Sequence, residues 1–224
     1  MASTRDIIQK RFAGLGIHNA KVLISGARQI TVDFSIPQGE DPEALEAAVS
    51  KTGLLELVDM GSEHPVEGTV IQTDYWSAGA GPTGIVTLTT SSSTTPTPET
   101  TPAAASAPAP VIYHTVMTGV SIASVNVEAG SSVGATGYLI AFTLKSDAIT
   151  SFADYTGSHI GQTLAIVLDK KIISAPIINS RIDKGLGYIE GNFTADSANT
   201  LAIQLAYGAL PIPLKVLDTK VVSP

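Results

Sequence analysis

The sequence predicts an α+β fold: a ferredoxin-like subdomain, completed by the C-terminal helix and strand, with a second α+β subdomain inserted in it. Three observations carry this. Ile30, Val32, Phe34 and Ile36 alternate strictly with polar residues, the period of a strand with one buried face. Ile8, Phe12 and Leu15 recur at helical spacing, as do Ala198, Leu201, Ala202, Leu205 and Ala206 near the other end. Gln162–Asp169 is almost wholly apolar, as expected for a central strand covered on both faces.

Taken in order, Thr4 can cap a first helix that runs to about Gly14, with Gly16 as its stop. Ala20–Ser25 and Gln29–Ile36 read as a hairpin around Gly26. Asp41-Pro42-Glu43 starts a second helix, with a capping carboxylate, proline at the first helical position and acid at the positive end of the dipole. That helix ends near Lys51, with Gly53 beyond it, and Leu54–Asp59 follows as a strand. Helix, strand, strand, helix, strand is a βαββαβ unit without its first strand. The closing strand, Leu214–Val222, is the natural candidate for the empty edge. Val70–Trp76 and Ile85–Leu88 are weaker strands around the Gly79–Gly84 segment.

From Thr89 to Pro110 nearly every residue is Ser, Thr, Pro or Ala, and Glu99 is the only charge. Such a segment buries too little apolar surface to offset its ordering entropy and is expected to be a disordered or polyproline-like linker. Beyond it, Ser121–Val127 and Gly137–Leu144 predict two strands around the Gly130–Gly134 turn. Ser146 or Asp147 then caps a helix carrying Ile149, Phe152 and Tyr155, and Lys171–Ile178 and Gly187–Asn192 are further strands. Thr194 opens the last helix and Gly208 stops it. The resulting division is a first subdomain 1–66, connection 67–88, linker 89–110, inserted subdomain 111–192 and the return to the first subdomain 193–224.

Composition removes several function classes. The chain has 224 residues and a net charge of −7, from 13 Lys and Arg against 20 Asp and Glu. That acidic balance argues against the clustered basic face that phosphate binding requires, so no nucleic acid is expected, and with no five like charges together there is no basic arm or acidic tail. The absence of cysteine excludes disulfides, thiolate metal sites and cysteine nucleophiles. Met1–Asp6 does not read as the start of a signal peptide. The longest apolar runs, such as Leu164–Leu168, fall far short of the ~20 residues that span a bilayer. A chain that opens directly into a helix and closes on a strand reads as part of a longer product.

Catalytic motifs do not survive their structural requirements. Gly79-Ala80-Gly81-Pro82-Thr83-Gly84 matches the dinucleotide fingerprint, but Ile85-Val86-Thr87-Leu88 follows where a helix must begin. Gly130-Ser131-Ser132-Val133-Gly134 matches a nucleophile elbow, with Asp154 and His159 downstream, yet a strand rather than a helix follows. Asp169 beside Lys170 and Lys171 lies between two strands and reads as a turn. His64 with Glu63 and Glu67 reads as a solvated loop. No enzyme, cofactor or metal is expected.

One resemblance remains. Phe142-Thr143-Leu144, the run from Ile160 to Asp169, Ile172–Ile178, Ile189–Thr194 and Leu205–Val216 resemble the SecD family, as do the Ile7–Gly16 helix and the Ala27–Ile36 strand. In that family these segments lie in the large first periplasmic domain, a base carrying a mobile head. The resemblance implies an extracytoplasmic part of a Sec translocase accessory subunit. It would work with SecF and SecYEG, bind emerging unfolded preprotein and help its proton-gradient-driven release, touching the membrane only through segments absent from this chain. Two features depart from the family pattern: the linker is long, and Lys170 stands where a turn glycine is usual after the aspartate. Strand edges tolerate many sequences, because backbone hydrogen bonds carry no sequence information. The expected polypeptide-binding residues are therefore Ser121, Ala123, Val125 and Val127 on one edge and Ile172, Ser174, Pro176 and Ile178 on another. The alternative is a scaffold that positions translocase partners without touching substrate.

Overall fold

The computed structural model describes residues 2–25, 29–36, 42–75, 111–132, 137–211 and 214–217. Its elements run α1 (Ala2–Gly14), β1 (Lys21–Ser25), β2 (Gln29–Asp33), α2 (Pro42–Ser50), β3 (Leu55–Asp59), β4 (Gln72–Thr73) and β5 (Ile112–Thr118). They continue with β6 (Ile122–Ala129), β7 (Tyr138–Leu144), α3 (Ser146–Ser158), β8 (Leu164–Leu168), β9 (Lys171–Ser174), β10 (Leu186–Phe193) and α4 (Ala195–Tyr207).

The apolar stripe of α1 buries Ile8 and Phe12 against Val22 of β1, and Leu45 and Val49 of α2, in one core. The helix begins ahead of Thr4, which lies buried within it rather than capping it. The hairpin forms as its alternation requires, with Val22 opposite Val32 and Ile24 opposite Ile30. Leu210 and the half-buried Leu214 return to this core from the far end of the chain.

Strand β3 departs from the expected plan. It does not lie beside the hairpin, which forms a two-stranded sheet among the described residues. Instead β3 sits between β5 and β8 in a five-stranded sheet ordered β4-β5-β3-β8-β9. The physical reason is two-sided burial. Leu55 and Leu57 face one core while Val58 faces another, so β3 needs cover on both faces, which a hairpin against two helices cannot give. The closing segment carries no strand over 214–217, and 218–222 lie outside the described residues.

β8 is interior and doubly covered, as its apolar run requires: Leu164 and Ile166 face the larger core, Ala165 and Val167 the smaller. The second sheet is three-stranded, β10-β7-β6. Its Ile140, Phe142 and Ile189 meet Phe152 of α3 and Ala198, Leu201 and Leu205 of α4. α4 opens on a reciprocal cap, in which the Thr194 hydroxyl accepts from the Ser197 amide at 3.2 Å and the Ser197 hydroxyl from the Thr194 amide at 2.9 Å. α3 opens at Lys145 without a side-chain cap, rather than at Ser146 or Asp147. β5 is a strand that the reading of the sequence passed over, beside the linker. The Gly79–Gly84 motif and Ile85–Leu88 lie outside the described residues.

Candidate polypeptide-binding edge

Of the two expected edges, β6 pairs with β7 and with no second strand among the described residues. Ala123 is exposed, while Val125 and Val127 are half-buried against the large core and Ser121 is half-buried in the short turn before the strand. The other edge, Lys171–Ile178, is already occupied at its start, Lys171–Ile172. The Gly68 amide donates to the Ile172 carbonyl at 2.8 Å, and the Ile172 amide to the Thr69 carbonyl at 2.9 Å. Ile172, Ser174 and Ile178 are buried, and Pro176 is exposed. The two edges belong to different sheets and are not brought together.

A cleft of about 300 Å³ opens at the start of β6, where Gly119 and Val120 connect it to β5. Its other walls include Ile7 of α1, Leu54, Leu205 and Leu210. Val120 is 70% exposed, so an apolar side chain stands at the mouth.

A buried arginine fixes one wall. Arg11 interrupts the apolar stripe of α1 and is fully buried. Its guanidinium donates to the carbonyls of Lys51 at 2.6 Å and Thr52 at 2.9 Å, just past α2, and of Gly208 at 2.8 Å, just past α4. Helix C-termini leave carbonyls unpaired and partly negative, so one cation serves two of them. Burial lowers the Arg11 pKa to about 10, and the charge of Asp169 opposes that fall. Gly53 sits beneath the guanidinium at φ +69°, where a Cβ would come within 2.7 Å of Nη2.

The turn between β8 and β9 places two non-glycine residues in the left-handed region, Asp169 at φ 48° and Lys170 at φ 68°. Each has a compensating contact. The Asp169 carboxylate accepts from the Gly53 and Leu54 amides at 3.1 and 2.9 Å. Lys170 reaches Glu56 of β3 at 2.8 Å, and that carboxylate also accepts from Thr115 at 2.9 Å and from Thr73. Thus Asp169 is a turn residue, and Lys170 has a role that glycine could not fill. Sequence reasoning missed Arg11 and Glu56, although each carried a signal as a lone charge inside an apolar stripe. Of the residues in discarded motifs, Asp154 pairs with Arg181 at 2.8 Å, His159 stacks on Tyr155, and the His64 ring bonds the Thr163 hydroxyl at 2.9 Å.

At the other sheet edge, the Asp74 carboxyl is held below the usual aspartate range, first by the Thr115 amide and then by His114. The stabilisation from this carboxylate should be complete above the unfolded aspartate value of about 3.9 and be lost as pH falls through the lower folded value. A carbon-detected NMR titration should therefore put the Asp74 midpoint below 3.9 (approximately the reference value), and a midpoint above it would refute the assigned hydrogen bonds.

Comparison with known proteins now decides the family. A family model described as the SecDF P1 head subdomain matches residues 97–212, more than half of the chain. The chain belongs to the SecD family. Among curated relatives, the protein translocase subunit SecD of Thermobaculum terrenum is 32% identical, over 100% of this chain and 48% of its own length. SecD of Rickettsia felis is 44% identical over 98% of this chain and 38% of its own length. The chain therefore spans about half, or less, of the SecD proteins it matches. A solved structure of SecDF, described as a membrane component that enhances protein export, shares the fold. Its TM-score is 0.65 at 19% identity, covering 99% of this chain and 92% of the other. SecDF in a super-membrane-facing form gives a TM-score of 0.68 at 20% identity, over 97% of this chain and 27% of the other. The mixed α+β architecture is that of the SecDF P1 domain, an extracytoplasmic part of a membrane protein. Among the described residues no helix is long and apolar enough to cross a membrane.

Proposed function

We propose that this chain is the non-enzymatic extracytoplasmic domain of a Sec export subunit and that it holds emerging, unfolded preprotein on the β6 edge. The carrying observation is an eight-residue strand with one side paired among the described residues, beside an apolar cleft, in a chain of the translocase family. An extended polypeptide added there gains main-chain hydrogen bonds whatever its sequence, and the cleft offers a site for one apolar side chain. Proton-gradient-driven release, and work alongside SecF and SecYEG, would belong to the whole protein. In this reading a base made of 1–66 and 193–224 carries a head at 111–192. Of the ferredoxin-like plan the base keeps α1, the β1–β2 hairpin and α2, whereas β3 lies in the five-stranded sheet. The packing of Leu210 and Leu214 into the N-terminal core supports the return of the C-terminal segment to the base.

Amide NMR of the chain, titrated with an unfolded, signal-less secretory polypeptide, tests the reading. Saturable shifts should cluster on Ile122–Ala129 and around Val120. Ala123→Lys should weaken binding by about fivefold, since charge on an edge strand opposes strand addition. Absence of shifts at millimolar polypeptide would favour the scaffold role instead.

A further inference from the structure

One short segment closes both sides of the five-stranded sheet. Residues 68–71 run along β9, where, beyond the Gly68 and Thr69 bonds, the Ile71 amide donates to the Lys170 carbonyl at 2.9 Å. Ile71 then sits in the smaller core with Val58, Ala165, Val167 and Ile172, carrying the chain across the sheet face. Residues 72–75 run along β5 on the opposite side, with β4 paired in parallel to Ile112 and Tyr113.

The contact with β5 has the pattern of strand addition. The Asp74 amide donates to the Tyr113 carbonyl at 2.9 Å, and the Asp74 carboxylate accepts from the Thr115 amide at 2.7 Å. A residue of an added strand would make this pair of bonds to positions i and i+2 with its own N–H and C=O. Here the carboxylate replaces the carbonyl, so among the described residues pairing stops at Asp74. Lys170 holds the strap from behind, donating to Thr73 and to the Tyr75 carbonyl at 3.0 Å while paired with the buried Glu56.

We propose that residues 68–75 are an edge strap that closes the five-stranded sheet to strand addition, with Asp74 as its terminator on β5, so that extended polypeptide is directed to β6. The proposal rests on the polypeptide-holding reading above and adds its selectivity. Val111 and Ile112, 61% and 62% exposed, flank the protected edge, so an uncovered β5 presents an apolar strand to the same class of ligand.

The test uses Asp74→Ala in the full chain. Hydrogen exchange at the Thr115 amide should accelerate at least tenfold. The unfolded secretory polypeptide should then produce new saturable shifts across Tyr113–Met117 in the variant, where the parent protein has none. If the Thr115 amide stays protected, Asp74 is not the terminator and the proposal fails. It fails equally if β5 is uncovered but no polypeptide shifts appear there. Shifts on β5 that grow with protein concentration alone would show a second copy as the occupant, and that also overturns it. The β6 amides in the same spectra report separately on the polypeptide-holding reading.

Discussion

Replacing Arg11 by methionine should destabilise the fold by about 3–5 kcal/mol, the range seen when a buried charged group is removed from its partners. Methionine fills much of the same volume, so the loss isolates hydrogen bonding from packing. The carbonyls of Lys51, Thr52 and Gly208 would lose their guanidinium donor, and Asp169 would lose its nearby cation. Each buried acceptor left unmade costs about 1–3 kcal/mol, with partial relief where water can enter. Arg11→Lys should recover only part, because an ammonium cannot present the planar fork that reaches two helix ends at once. Urea unfolding would measure both. A loss below ~1 kcal/mol for the methionine variant would show that solvent already serves those carbonyls. The same variants bear on function, since Gly53, Gly208 and Leu210 line the cleft beside β6.

The sequence revealed those parts of the fold where periodicity and burial agree. The β1–β2 hairpin has strict alternation and needs one covered face, so Ile30 and Val32 identified it. β8 is apolar throughout because both its faces are buried. The placement of β3 was not legible. Leu54-Leu55-Glu56-Leu57-Val58 reads as a strand in any sheet, and its partners β5 and β8 lie across the linker, beyond what a local pattern can specify. β5 was missed for a related reason. Its Ile112-Tyr113-His114-Thr115-Val116 run is rich in β-branched and aromatic residues, but it abuts the linker and its polar positions mask the alternation. Among site residues, β6 was legible as a strand from its own run of residues, though not its place at the side of a sheet. The prior occupation of β9 was not legible. The strap that covers its start begins just over a hundred positions earlier, and its hydrogen bonds are made by backbone atoms, which leave little trace in residue identity.

The second large effect concerns Glu56 and Lys170, and it should be asymmetric. The Glu56 side chain is fully buried, whereas that of Lys170 is 35% exposed. Lys170→Met leaves a buried carboxylate whose donors among the described residues are the hydroxyls of Thr73 and Thr115, and should cost about 3 kcal/mol. Glu56→Leu frees an ammonium that can turn to solvent, so its cost should be nearer ~1–2 kcal/mol, mostly from the two stranded hydroxyls. The double variant should be more stable than Lys170→Met alone, because the unpaired charge is then gone. Their coupling energy should fall at about 1–3 kcal/mol. Lys170→Gly separates a further component, since it removes the same ion pair while relieving the left-handed backbone at φ 68°. It should be about 1 kcal/mol more stable than Lys170→Met, the usual penalty for a side chain in that region. Equal losses in the two single variants, with no coupling, would mean that the pair is solvated and does not anchor the strap. The lysine would then have no physical justification for occupying a position that glycine fills without strain.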